Sequence, residues 1–139
     1  MLMELAAIGR VQAAGRIVLE QRYLSALTGL EGFSHLWVIW LFEPAGEGAL
    51  LCHPRGRPDL PVVGLFATRS PHRPNPLALT LVQLRARQGC ILEVEGLDAR
   101  EGTAVLDLKP FIPGSDRPES VRVPDWVGRL YRERERGER

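Results

Sequence analysis

The stretch Val62–Thr80, VVGLFATRSPHRPNPLALT, places the strongest constraint on the fold. Pro71, Pro74 and Pro76 each fix their own φ, and each pushes the residue before it toward an extended conformation. Neither a helix nor a central strand can run through them. The segments on either side must therefore be separate elements joined by a stiff, polar loop. Val62–Ala67 is apolar and reads as a buried strand, and a second apolar run begins at Leu77. Between them Arg69, Ser70, Arg73 and Asn75 sit on a backbone with little freedom left to lose. Such a loop can present fixed donors to a ligand at low ordering cost. A proline-rich connection with solvated arginines is the competing reading.

Earlier in the chain, Leu5–Val11 reads as a strand, Gly15-Arg16 as a turn and Ile17–Leu19 as a second short strand. Glu20–Leu27 carries Tyr23, Leu24 and Leu27 on one face, which predicts two helical turns, with Gly29 placed to stop them. From His35 to Phe42 the chain is almost continuously apolar, which predicts a central strand buried on both faces or nearly so. Glu43 and Pro44 end it. A carboxylate at the mouth of such a strand is a solvated cap or a site residue, and position alone favours the cap. Ala45–Gly48 reads as a loop, Leu50–His53 as a brief strand and Pro54–Pro61 as another stiff connection.

Beyond the proline loop, Leu77–Arg87 predicts a long strand, with Leu79, Leu81, Val82 and Leu84 turned in and Gln83, Arg85 and Arg87 turned out. Gln88-Gly89 makes a tight turn and Cys90–Glu95 returns. Gly102 suits a turn that needs positive φ. Ala104–Leu108 is a strand, Phe111–Pro118 is irregular, and Pro124–Arg134 is helical with Trp126, Val127, Leu130 and Tyr131 on one face. The Arg/Glu tail from Arg132 to Arg139 reads as a solvated end. Short strands and many Gly/Pro turns predict a mainly β domain closed as a small barrel. Residues 1–123 are expected to form it, and residues 124–139 a C-terminal helix and charged tail.

With 139 residues, one domain is expected. A net charge of +1 restricts any RNA contact to a local patch. Lys109 is the single lysine, and arginine suits planar contacts to phosphate or carboxylate; genome composition gives the same bias. Cys52 and Cys90 lack CxxC spacing and read as free thiols of a cytoplasmic protein. No signal peptide or membrane-length apolar run is visible. His35, His53 and His72 lack metal-ligand spacing, so no metal is expected. Neither a GxGxxG fingerprint nor a Walker loop is present. Ser70, His72 and Asp98 could be drawn as a triad, but no nucleophile elbow surrounds Ser70.

Three blocks carry a resemblance: GLEGFSHLWVIWLF (Gly29–Phe42), GLFATRSPHRPNPLALT (Gly64–Thr80) and LDAREGTAVLDLKPF (Leu97–Phe111). Their order and spacing resemble the TrmO family, also called TsaA-like or YaeB-like. The resemblance implies a small single-sheet mixed β-barrel with a few short helices, unrelated to Rossmann methyltransferases. It further implies S-adenosylmethionine as cofactor, bound near a homodimer interface, and tRNA as substrate. The methyl group would go to N6 of a threonylcarbamoylated adenosine beside the anticodon.

By motif match, the resemblance puts Arg69, Leu79 and the turn Asp98, Ala99, Arg100 and Glu101 on the cofactor. Glu43 and Pro44 stand where relatives carry a His and a polar residue, which puts one cofactor contact in doubt. Arg73 and Ser70 are the expected substrate contacts. Asp107, Lys109 and Asn75 are candidates for proton handling, assigned by place; a strand-end ion pair is an equal reading of Asp107 and Lys109. Relatives have a Pro-Arg-Gln triplet after the first strand, absent here unless Arg10 or Gln12 substitutes. Phe111 replaces a usual Tyr, and the C-terminal domain of many bacterial relatives is not expected. These departures keep a second reading open: a non-catalytic module that binds S-adenosylmethionine, a nucleoside or a protein.

Overall fold

The computed structural model describes residues 1–13, 15–46 and 48–135. Ala14 before the second strand, Glu47 in the expected loop and the end of the expected solvated tail lie outside the described residues. Contacts divide the chain into two compact units, Met1–Glu47 with Pro71–Ile112, and Gly48–Ser70 with Pro113–Arg139.

The strands are β1 (Gly9–Gln12), β2 (Arg16–Leu19), β3 (His35–Leu41), β4 (Leu51–Cys52), β5 (Val63–Gly64), β6 (Leu77–Gln88), β7 (Ile91–Glu95) and β8 (Ala104–Pro110). Six of them close into a barrel in the order β1-β2-β7-β6-β3-β8. The expected mainly β barrel is borne out. The expected mixture of parallel and antiparallel strands is not, because every pairing around the ring is antiparallel. An even number of strands lets each run opposite to both neighbours, so no parallel crossover is needed to close the edges.

The interior is built by side-chain alternation. Leu36 and Val38 of β3 are fully buried, as are Ile17, Val82, Leu92 and Val105, and Trp40, Val11, Leu19, Leu27, Ala78, Cys90 and Val94 complete the cluster. β3 is therefore buried on one face and half-covered on the other, not buried on both. β6 corrects the expected phase: Ala78, Val82 and the half-buried Leu84 turn in, while Leu79 and Leu81 turn out, 45% and 40% exposed. Both phases of this strand are apolar, so hydropathy alone does not choose between them.

Other boundaries shift for local reasons. The first strand begins at Gly9, and Leu5 is exposed. Arg16 belongs to β2, not to the turn, which Gly15 makes at φ 71°. The helical segment at Gln21–Leu27 is 3₁₀, and Gly29 follows it at φ 86°. A bulge at Leu106 lets Trp40 of β3 pair with Val105 after Ile39 has paired with Asp107.

The second unit holds the two-stranded β4–β5 ribbon, a short helix α1 (Pro113–Asp116) within the segment expected to be irregular, and α2 (Asp125–Glu135) close to its expected bounds. The expected buried strand at Val62–Ala67 is overturned. It pairs over two residues only and then turns into a 3₁₀ segment, with Val62 and Phe66 exposed. Pro54, Leu60, Leu65 and Leu130 are buried among the described residues of this unit. An Arg57 side-chain hydrogen bond holds the Asp59 carboxyl below its ordinary range.

Gly9 marks the closest approach in the ring. A Cβ there would lie 2.4 Å from the Val18 carbonyl oxygen and 2.9 Å from the Leu19 Cα. Both are backbone atoms in the paired strand and cannot rotate away. Gly9→Ala is expected to lower folding stability by roughly 1–3 kcal/mol, read from urea denaturation; an unchanged midpoint would contradict this packing.

Candidate functional site

Antiparallel pairing of β3 with β6 puts the end of one and the start of the other side by side, through Leu41 opposite Leu77. β8 starts at the same end, where Trp40 pairs with Val105. The proline loop is fastened here. Phe42 N–H donates to the Pro76 carbonyl at 2.8 Å, and His72 Nδ1 donates to the Ala45 carbonyl at 3.1 Å. Within the loop, Arg73 N–H donates to the Pro71 carbonyl and Leu77 N–H to the Asn75 carbonyl. Arg73 and Asn75 therefore sit on a braced backbone, as the prolines require.

The connection from β7 to β8 reaches this end too. Leu97 and Ala99 pack against the core, while Asp98, Arg100 and Glu101 face solvent. Gly102 at φ 88° lets Thr103 N–H donate back to the Arg100 carbonyl at 3.1 Å, closing a turn. Arg10 on β1 reaches in, its Nη1 donating to the Gly102 carbonyl at 3.0 Å. Arg100 Nη1 stands 3.4 Å from Glu43 Oε2, with both side chains more than three-quarters exposed. Glu43, Asp98, Glu101, Arg10 and Arg100 form a rim of mixed charge on a rigid barrel end.

One polar chain ties this rim to the interior. Trp40 is buried, and its indole N–H donates to Thr80 Oγ1 at 2.9 Å. The Thr80 hydroxyl in turn donates to Asp98 Oδ1 at 3.5 Å. Sequence reasoning passed over Thr80. With β6 in its observed phase, the signal is a hydroxyl in an otherwise apolar inward row of Ala78, Thr80, Val82 and Leu84.

The expected site residues are spread over several elements. Glu43, Pro44, Arg73, Asn75, Asp98, Ala99, Arg100 and Glu101 belong to the first unit and come from segments that converge on this end. Leu79 lies on the outer face, in a row with Ile39 and Asp107. Lys109 Nζ contacts Asp107 Oδ2 at 2.9 Å, the strand-end ion pair that place alone allowed. Arg69 and Ser70 belong to the second unit, where Ser70 N–H donates to Thr68 Oγ1. Among the described residues no cluster of His, Cys, Asp and Glu could hold a metal, and no helix is long and apolar enough to cross a membrane.

A closed antiparallel barrel that collects polar side chains at one end defines a class of barrels that carry their ligands on loop-built mouths. The family described as tRNA-methyltransferase O N-terminal domain matches residues 7–117, and the chain belongs to it. The resemblance read from the three sequence blocks is thus borne out. The human "tRNA (adenine(37)-N6)-methyltransferase" is 41% identical over 102 residues, 71% of this chain and 23% of that protein. The Escherichia coli protein of the same name is 41% identical over 96 residues, 63% of this chain and 40% of its own length. A Methanothermobacter thermautotrophicus protein, "Probable S-adenosyl-L-methionine-binding protein", is 45% identical over 94 residues, 68% of this chain and 66% of that one. A solved structure described as "Crystal structure of TrmO" superposes with a TM-score of 0.75 at 28% identity, covering 90% of this chain and 64% of that one. The chain spans less than half of the human and Escherichia coli relatives.

The Glu43–Arg100 pair is too exposed to contribute much to folding. Arg100→Ala is expected to change stability by less than about 0.5 kcal/mol in urea denaturation. A larger loss would make the pair a structural brace and not a ligand-facing one.

Proposed function

We propose that this chain is an S-adenosylmethionine-dependent methyltransferase that acts on N6 of a tRNA adenosine. The threonylcarbamoylated adenosine beside the anticodon is the acceptor that the family implies. One observation carries the reading: acidic and basic side chains share one barrel end, on the turn that family matching assigns to the cofactor. The donor set fits the group. Asp98, Glu101 and Glu43 accept hydrogen bonds, which suits ribose hydroxyls and an amino group. Arg100 and Arg10 suit a carboxylate. A ligand with ammonium, sulfonium and carboxylate groups is matched by a rim of both signs. Leu79, outward on β6, offers apolar surface to a base.

S-adenosylmethionine supplies an already activated methyl group. The residues of this chain then have to bind, align and exclude water. The braced loop suits Arg73 and Asn75 to substrate contact. Ser70 and Arg69 remain assigned by motif match. Asp107, Lys109 and Asn75 remain the candidates for handling the proton that leaves the acceptor nitrogen.

A cytoplasmic homodimer belongs to the same proposal. The outward leucines Leu41, Leu77 and Leu81 make an apolar face that a second copy would cover. Light scattering is expected to report a dimer that Leu81→Asp weakens; a monomeric wild type contradicts it. The printed name of the archaeal relative states S-adenosylmethionine binding alone; the second reading is a module that binds the cofactor without transfer.

Transfer of tritiated methyl from S-adenosylmethionine to bulk tRNA decides between the two. Counts in tRNA are expected, and Arg69→Ala is expected to raise the cofactor Kd at least tenfold, about 1.4 kcal/mol. Cofactor binding with no transfer to tRNA favours the second reading. Unchanged affinity in Arg69→Ala contradicts that residue's assignment.

A further inference from the structure

We propose that Thr80 is a positioning residue that aims the Asp98 carboxylate at its ligand. The inference rests on the reading of Asp98 as a cofactor contact. An indole N–H can only donate, so in the Trp40–Thr80 hydrogen bond the Thr80 oxygen is the acceptor. The hydroxyl proton must then point away from the indole. A carboxylate can only accept when ionised, and Asp98 Oδ1 is the acceptor within reach. The chain of donors therefore has one polarity, from the buried indole outward to the exposed carboxylate.

The anchor is rigid and the tip is not. Trp40 is buried in the core cluster, its ring 4.8 Å from that of Phe42. Thr80 sits in the middle of β6, paired with Val38. Asp98 lies on an irregular, solvent-facing connection and has rotamers to lose on binding. A hydroxyl fixed from within the barrel selects one carboxylate orientation in advance. The second oxygen, Oδ2, is left to face a hydroxyl or amino donor of a nucleoside ligand. At 3.5 Å in the free chain the Thr80–Asp98 contact is long for an O–H···O bond, so the proposal requires it to shorten when ligand is bound, where a hydrogen bond to a charged group registers in affinity.

Titration calorimetry of the full chain with S-adenosylmethionine tests this. Thr80→Val, which keeps the shape and removes the hydroxyl, is expected to raise Kd about tenfold. Thr80→Ser is expected to restore affinity to within about twofold of wild type, which a purely packing role for the threonine methyl would not give. Asp98→Asn combined with Thr80→Val is expected to bind no more weakly than Asp98→Asn alone, because Thr80 acts through Asp98. Wild-type affinity in Thr80→Val overturns the proposal and leaves the reading of the site intact. Additive losses in the double variant overturn it too, as does failure of Thr80→Ser to recover. A wild type that does not bind S-adenosylmethionine removes the reading of the site, and this inference with it. Thermal denaturation of each variant confirms that binding is measured on folded protein.

Discussion

Closure of a six-strand antiparallel ring around one apolar row per strand is the constraint from which the rest follows. β3 is central to it, because it pairs with β6 on one side and β8 on the other. Leu36, Val38 and Trp40 point inward from it and fill the middle of the ring. A barrel of this size has room for side chains only, so its interior offers no ligand cavity and recognition moves to the ends and the outer face. Closure also removes the exposed edges that a short open sheet would leave for aggregation.

Polar groups gather at one end because the strands deliver their connections there. β3 stops with Glu43 just beyond it, β6 starts after three prolines, and β8 starts after the Gly102 turn. The stretches 42–46, 71–76 and 96–103 beside these strand ends carry no helix or strand, yet each is tied by hydrogen bonds to a strand or to its own backbone. The buried Trp40 indole must find a polar partner, and that need leads outward through Thr80 to Asp98. A packing requirement in the core and an arrangement of charge on the surface are thus linked by two hydrogen bonds.

Much of this was legible in the residues. The return at Cys90–Glu95, the continuous apolar run from His35 and the face of Trp126, Val127 and Leu130 gave elements close to those observed. Gly102, read as a positive-φ turn, and Gly29, read as a helix stop, both lie at positive φ. The phase of β6 was not legible. Leu77, Leu79 and Leu81 are as apolar as the inward residues, and only pairing with β3 shows that they face out. Val62–Ala67 failed for a related reason: apolar composition does not reveal that pairing stops after Gly64. The candidate site was legible as motifs, not as geometry. Glu43 and Arg100 are far apart in sequence and meet only because β3 ends where the β7–β8 connection turns. Thr80 could not be singled out until the strand phase was known.

The structure of the chain in complex with S-adenosylmethionine is the most direct test. Ligand hydrogen-bonded to Asp98 and to at least one of Glu43, Arg100 and Glu101, with Thr80 still donating to Asp98, is the expected result. A ligand bound elsewhere, with these side chains left in solvent, would contradict the assignment of the barrel end as the cofactor site.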